Sequence, residues 1–299
     1  MKRIPVILIT GALSLLAGCY YFGPCIDGTG PVISELREIS DFMAVTNSGS
    51  FDVIIQQSED FMVEVEAQGN LMPIIETYVS GHTLIIKTSN GSCFRSSFPV
   101  TVHVSMPELE AMQLTGSGTL ISDIAVSDVV ECSNTGSGFL SVDSVNAGIL
   151  NVGNSGSGTV FINRSYLDEV ELVQSGSGEL EAAAIYGATE ISIRHSSSGR
   201  IRSELVDAVS INVIQSGSGL TALTGDVVDA DYTLTSSGRL DALDLMAIDA
   251  DASNTGSGKI FIYATATLDA TITGSGDIIY RGDPVISYRI TGSGDLRPY

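Results

Sequence analysis

The chain has 299 residues, 14 Lys and Arg against 35 Asp and Glu, and a formal net charge of −21; 43% of its residues are hydrophobic, only 16% are charged, and Trp is absent. Disorder is excluded, because a disordered chain combines low hydrophobicity with high charge. A nucleic-acid binder is excluded too, since its affinity rests on a basic footprint and this surface repels phosphate.

At the N-terminus, Lys2 and Arg3 precede an apolar run from Ile4 to Leu16. That run is too short to stay as a membrane-spanning helix and reads as a signal sequence. Leu16-Ala17-Gly18-Cys19 follows and resembles the lipobox of bacterial lipoproteins, in which the cysteine becomes the lipidated N-terminus. The expectation is a signal peptide over 1–18, lipid attachment at Cys19 and a short tether over 19–30. Several acyl chains would anchor it stably, at about 0.8 kcal/mol per buried CH₂. Tyr20 rather than Asp follows Cys19, so the outer membrane is the expected address, with its surface and periplasmic faces both open.

Residues 31–114 carry strand-like runs at Phe51 to Gln57, Phe61 to Ala67, Thr83 to Lys87 and Val100 to Val104. Asn70 to Tyr78 reads as a short helical or irregular insertion, against which Pro73 argues. The segment is expected to be a less regular N-terminal part that closes one end of the core against edge-to-edge aggregation. With Cys19 set aside, Cys25 and Cys93 are candidates for a disulfide in an oxidising envelope. Cys132 falls on an inward position of the repeat described next and reads as an inert core residue.

From residue 115 a tetrad recurs: Thr115-Gly116-Ser117-Gly118, again at 135, 155, 175, 216, 255, 273 and 291, with degenerate copies at Ser196-Ser197-Ser198-Gly199 and Thr235-Ser236-Ser237-Gly238. The ten copies over 115–299 recur about every 20 residues. Before each tetrad the chain alternates strictly. Val130, Leu150, Val170 and Ile191 stand five residues upstream and Cys132, Val152, Leu172 and Ile193 three upstream, with Glu131, Asn151, Glu171 and Ser192 between them. This period of two defines strands with one buried face. After each tetrad an apolar residue opens the next strand (Leu120, Leu140, Val160, Leu180), with Thr221 the single exception. Twenty residues at about 3.3 Å each make a coil of two or three short strands, and coils stack about 4.8 Å apart. The pattern predicts an all-β fold, a right-handed parallel β-helix (β-solenoid). The tetrad glycines are expected to allow positive φ at a tight corner.

The residue just before the tetrad forms a polar inward column: Asn134, Asn154, Gln174, His195, Gln215 and Asn254. In-register amides are expected to bond along the axis as a ladder, and His195 reads as a ladder member rather than a catalyst.

Candidate chemistry is sparse. Asp229, Asp231, Asp249, Asp251 and Asp269 fall on one outward face, a weak surface calcium candidate because hard cations favour clustered oxygens; the plainer reading is a solvated acidic stripe. Arg200 and Arg202 with Glu204, and Arg239 with Asp241, are ordinary surface pairs. The scatter of ten Tyr argues against a sugar-stacking platform, and no triad or metal-ligand spacing is present. No cofactor is implied.

The layout resembles the auto-transporter adhesin head GIN domain family of Bacteroidetes-type envelope proteins. The matching stretches are the Arg37-to-Phe42 opening, Phe51-Asp52-Val53-Ile54-Ile55-Gln56, Leu84-Ile85-Ile86-Lys87, Val100-Thr101-Val102 and Met106-Pro107-Glu108-Leu109. The ending Gly274-Ser275-Gly276-Asp277-Ile278-Ile279-Tyr280 with Gly282 and Pro284 completes the likeness. The resemblance implies a β-helical fold and a cell-envelope location, and carries no catalytic residue. The reading is a lipid-anchored envelope solenoid acting as a non-catalytic, adhesin-like surface for a protein or glycan ligand. The alternatives are a periplasmic structural or sensory protein and, third, a polysaccharide-active enzyme.

Overall fold

A computed structural model describes residues 25–89 and 92–299. The signal peptide, Cys19 and the first part of the tether lie outside the described residues. The regular array begins with β10 (Ala111–Leu114), β11 (Thr119–Val126) and β12 (Val129–Asn134). β11 pairs in parallel with Phe139–Asn146, and β12 with Ile149–Asn154, each residue lying on its equivalent twenty positions later. The same register then runs coil upon coil to the Val285–Ile290 and Leu296–Pro298 strands. The fold is a parallel β-solenoid with about 20 residues per coil.

Each coil has three faces. Along β11, Leu120 and Ser122 point in, Asp123 and Ile124 are both exposed, and Ala125 points in again. Two successive outward residues break the alternation and bend the strand. A further corner at Ser127 and Asp128 leads into β12, and the tetrad forms the third corner. From Arg200 onward the middle corner falls within continuous strands such as Arg200–Gln215, where Asp207 takes a φ of 55° and the register shifts between Leu205 and Ala208. The inward columns are dry: Leu120, Leu140, Val160, Leu180, Ile201, Leu240 and Ile260 are all fully buried. At about 1.5–3 kcal/mol for each buried aliphatic side chain, stacking is what stabilises a coil that could not close a core alone.

The tetrad glycines serve a different purpose from the expected one. None of them has positive φ; that conformation occurs at Gly30, Gly81, Gly187, Gly225 and Gly282. They are required by closeness. A Cβ on Gly136 would run into the Gly116 carbonyl oxygen of the coil before it, and one on Gly138 into the Gly118 oxygen. The corners hydrogen-bond directly to one another, as in Ser137 N to Gly116 O at 3.2 Å and Ser157 N to Gly136 O at 3.1 Å. In the two degenerate tetrads the replacing serine bonds within its own corner: Ser197 Oγ accepts from Gly199 N, and Ser236 Oγ from Gly238 N, both at 3.2 Å.

The inward amides also differ from expectation. They do not form an amide-to-amide ladder; they staple the corner backbone. Asn154 Nδ2 donates to Gly158 O at 2.9 Å and to Glu179 O of the next coil at 3.0 Å. Asn134 Oδ1 accepts from Gly136 N at 2.9 Å. Corner carbonyls lie within hydrogen-bond reach of each side-chain amide and accept from it through their second lone pair, as Gly158 O does while also accepting from Glu179 N at 3.1 Å.

The N-terminal part is ordered differently from its sequence. β3 (Ala44–Asn47) and β4 (Asp52–Gln57) make a coil joined by Asn47-Ser48-Gly49-Ser50, and Asn47 staples it as Asn154 does, donating to Phe51 O at 3.0 Å and Thr119 O at 2.9 Å. This additional corner ends in Phe51 where the tetrad has Gly, so the tetrad pattern misses it. The chain then leaves the stack through β5 (Met62–Gln68), a 3₁₀ turn at Met72–Ile74 and β6 (Ile75–Ser80). The expected insertion over 70–78 is therefore this one short turn followed by a strand. It returns as β7 (Thr83–Thr88) and β9 (Thr101–Met106), which lie beneath β3 and β4 in parallel. Only then does β10 place itself on the opposite side of β3. Antiparallel pairs finish this end: β5 on β9, β2 (Val32–Arg37) on β5, and β6 on β7. A Cys25–Cys93 disulfide joins the entering chain to the cap beside the short β1 (Ile26–Asp27) and β8 (Phe94–Arg95) pair. At the opposite end the last coil has no cover among the described residues. Tyr288 is 65% exposed, although Ala270, directly before it in the same column, is fully buried.

Candidate functional site

Three outward features come from columns that stacking brings into register. The first follows the tetrad corner. Its first and third residues (Thr115 and Ser117, Thr135 and Ser137, and so on) are exposed in every coil, giving two rows of hydroxyls along the rod with a repeat of about 4.8 Å. Midway along, a groove of about 570 Å³ runs over Ser177, Ser198 and Ser218, flanked by Glu179, Arg200 and Arg239. Arg200 and Arg202 both pair with Glu179 of the preceding coil, the former at 3.6 Å, rather than with the expected Glu204. Arg239 bonds Asp241 at 2.6 Å and lies over the Phe261 ring, 4.0 Å from its centroid. All are solvent-facing pairs, so each guanidinium retains free donors for a ligand.

The second is the acidic face. Asp231, Asp251 and Asp269 stand in register, and Asp249 follows Asp229. Burial first, then the neighbouring Asp231 and Asp269 charges, raise the Asp251 carboxyl above the ordinary Asp value. Asp249 accepts from the Thr267 hydroxyl. Among the described residues no three His, Cys, Asp or Glu side chains are grouped so as to hold a metal ion.

The third is aromatic. Tyr166 and Tyr186, twenty residues apart, stack with ring centroids 4.9 Å apart and planes 12° from parallel. Sequence scatter concealed this pair; the coil period is the signal that finds it. The rings cover each other's faces, so they present edges and hydroxyls rather than a flat platform.

Histidine chemistry is absent from these features. His195 is buried, with Nδ1 3.0 Å from Thr221 Oγ1. The one polar interruption of the leading apolar column thus exists to partner the one histidine of the amide column. Burial lowers the His195 pKa to about 4, keeping the ring neutral. Cys132 is buried beneath its strand, and burial followed by the Glu131 charge pushes its thiol up to about 12, which removes the reactive thiolate.

A solenoid whose stacked coils bring long polar columns into register defines a surface-presenting repeat protein. The sequence matches the family described as putative auto-transporter adhesin, head GIN domain, over residues 41–202 and 186–284, and the chain belongs to that family. Solved structures share the fold. A putative adhesin from Parabacteroides distasonis ATCC 8503 is 22% identical with a TM-score of 0.54, covering 92% of this chain and all of its own. A putative adhesin from Parabacteroides merdae ATCC 43184 is 20% identical with a TM-score of 0.56, covering 93% of this chain and 100% of its own. A structure described as a putative lipid binding protein from Parabacteroides distasonis ATCC 8503 is 28% identical with a TM-score of 0.51, covering 92% of this chain and 100% of its own. No curated protein matches the chain. The family description is that of an adhesin-like protein, which supports a binding role at the cell envelope or surface.

Proposed function

We propose that the protein is a lipid-anchored, non-catalytic module of the outer membrane, held through Cys19, which binds an extended ligand along its tetrad corner. One observation carries this reading: the groove in which in-register serine hydroxyls run between Arg200 and Arg239. It offers hydrogen bonds at a constant pitch and two cations in a strongly acidic chain, which suits a hydroxylated, acid-bearing polymer such as a glycan. The family name supports a binding rather than a catalytic reading, and the lipid-binding description of one similar structure supports a place at the membrane.

The test is binding of the rod to an array of neutral and acidic glycans, paired with protease accessibility on intact cells. Acidic glycans are expected to be retained at least tenfold better than neutral ones, and an Arg200→Ala, Arg239→Ala double variant is expected to lose that preference. Equal retention by the variant places the ligand elsewhere. Protection from protease on intact cells would favour the periplasmic alternative.

A further inference from the structure

The outward row two places after the tetrad serines changes sign along the rod. In register from coil to coil stand Glu179, Arg200, Leu220, Arg239, Lys259 and Asp277. Three of the chain's 14 Lys and Arg residues thus fall within four successive coils of one column, closed at either end by a carboxylate. Lys259 extends the Arg200–Arg239 groove by one coil. The exposed Ser198, Ser218, Ser237 and Ser257 run beside this column, about 6.6 Å away, because two strand residues span that distance.

All three cations face solvent, with side chains 46%, 52% and 52% exposed, and each leans on a carboxylate: Arg200 on Glu179 at 3.6 Å, Arg239 on Asp241 at 2.6 Å and Lys259 on Asp277 at 3.7 Å. Exposed pairs of this kind contribute little, so an incoming carboxylate can share or replace the partner. Coils lie about 4.8 Å apart, slightly less than the length of one sugar in an extended β-1,4-linked chain. Successive sugars of such a chain turn opposite edges to a surface, so carboxylates reach the rod at every second coil. Arg200 and Arg239 stand two coils apart, with the apolar Leu220 under the sugar between them. The next position in that rhythm, two coils past Arg239, is Asp277. In the other direction the chain would have to pass Glu179.

We infer that the groove binds a short segment of a β-linked uronic-acid glycan, about four sugars long at one sugar per coil. The carboxylate of one sugar sits on Arg200, and that of the second sugar after it lies between Arg239 and Lys259, while the serine row takes ring hydroxyls. The inference rests on the glycan reading above and narrows it from a track along the rod to a window of four coils. A longer acidic chain gains nothing more, because its further carboxylates meet Glu179 and Asp277 on a chain of net charge −21, and the two repeats drift out of step. A neutral chain of the same backbone makes no use of the three cations.

The test is isothermal titration calorimetry of the full chain in detergent with β-1,4-linked glucuronate oligosaccharides of two to eight sugars, against neutral β-1,4-linked glucose oligosaccharides of the same lengths. Affinity for the acidic series is expected to rise at least tenfold from two sugars to four and less than threefold from four to eight. The neutral four-sugar chain should bind at least tenfold more weakly than the acidic one. Lys259→Gln should weaken the acidic four-sugar chain threefold or more, and Asp277→Asn should let eight sugars bind at least threefold tighter than four; melting temperatures read alongside check that both variants fold. A gain of threefold or more between four sugars and eight in the wild type, equal binding of the acidic and neutral four-sugar chains, or a folded Lys259→Gln variant of unchanged affinity would each overturn the inference. If acidic glycans of other kinds are then still retained, and lost in the Arg200→Ala, Arg239→Ala double variant, the broader glycan reading stands without the window. If no acidic glycan is retained, both fall.

Discussion

At the residue scale, conformational and electrostatic demands are set by what lies in the next coil. Gly136 and Gly153 look equally replaceable in the sequence. A Cβ at Gly136 meets the Gly116 carbonyl, whereas nothing lies within 4 Å of one at Gly153. Gly136→Ala is therefore expected to destabilise by about 1–3 kcal/mol, the usual cost of overpacking. Gly153→Ala is expected to be neutral or slightly stabilising, because it reduces the freedom of the unfolded chain. Denaturant melts of the two variants check the contrast. His195 makes a pH prediction. Its folded pKa is lowered to about 4 by burial, against an ordinary value of 6.5, so the neutral ring fits the core and the unfolded state takes up the proton first. Stability is complete above pH 6.5 and falls as the pH drops toward 4, by up to about 3 kcal/mol from this group. His195→Gln should flatten that limb of a stability-against-pH curve. Asp251 acts in the opposite direction. Its folded pKa is raised, so the ionised carboxylate costs stability at neutral pH, and the cost is relieved as the pH falls through that value. Asp251→Asn should raise the melting temperature at pH 7 and have no effect at a pH low enough to protonate the wild-type group.

At the element scale, the recurring unit is a corner with its amide staple. The alternation of Val130, Glu131 and Cys132 was enough to fix strand, face and period, because a side-chain repeat of two has no other structural meaning at that length. The staple was only half legible. An inward Asn134 or Asn154 announces a buried polar partner, yet whether that partner is another amide or the corner backbone depends on which groups the fold brings within reach. Asn154→Ala removes the bonds to Gly158 O and Glu179 O, while Gly158 O keeps its bond from Glu179 N; the expected loss is that of two hydrogen bonds, about 1–2 kcal/mol. Hydrogen exchange should show the loss confined to the two coils that the residue joins. Thr221 illustrates what the sequence could not explain. Alone it is an anomaly in an aliphatic column; next to His195 Nδ1 at 3.0 Å it is the hydrogen-bond partner of a buried ring.

At the scale of the whole molecule, stability is a sum over coils and their contacts, so the ends decide where unfolding starts. The N-terminal end is capped by antiparallel strands and the Cys25–Cys93 bond, which closes a sequence separation of 68 residues. In the loop-entropy account such a crosslink contributes about 4 kcal/mol. Cys93→Ser should free the β1–β8 pair and lower the stability of the cap, with amide exchange rising there before it rises anywhere in the array. The candidate ligand surfaces also exist only at this scale. Arg200 and Arg239 flank one groove, and Tyr166 and Tyr186 stack, because residues twenty positions apart are neighbours in space.

By itself the sequence determined the repeat length, the buried columns and the parallel stacking, since those follow from periodicity, and each coil reports them again. Only the tertiary structure decided that the β7–β9 layer lies beneath the earlier β3–β4 coil and that the glycines answer to crowding rather than to φ. These depend on which chain segment happens to lie across a contact, and in the irregular cap no period carries that information along the chain.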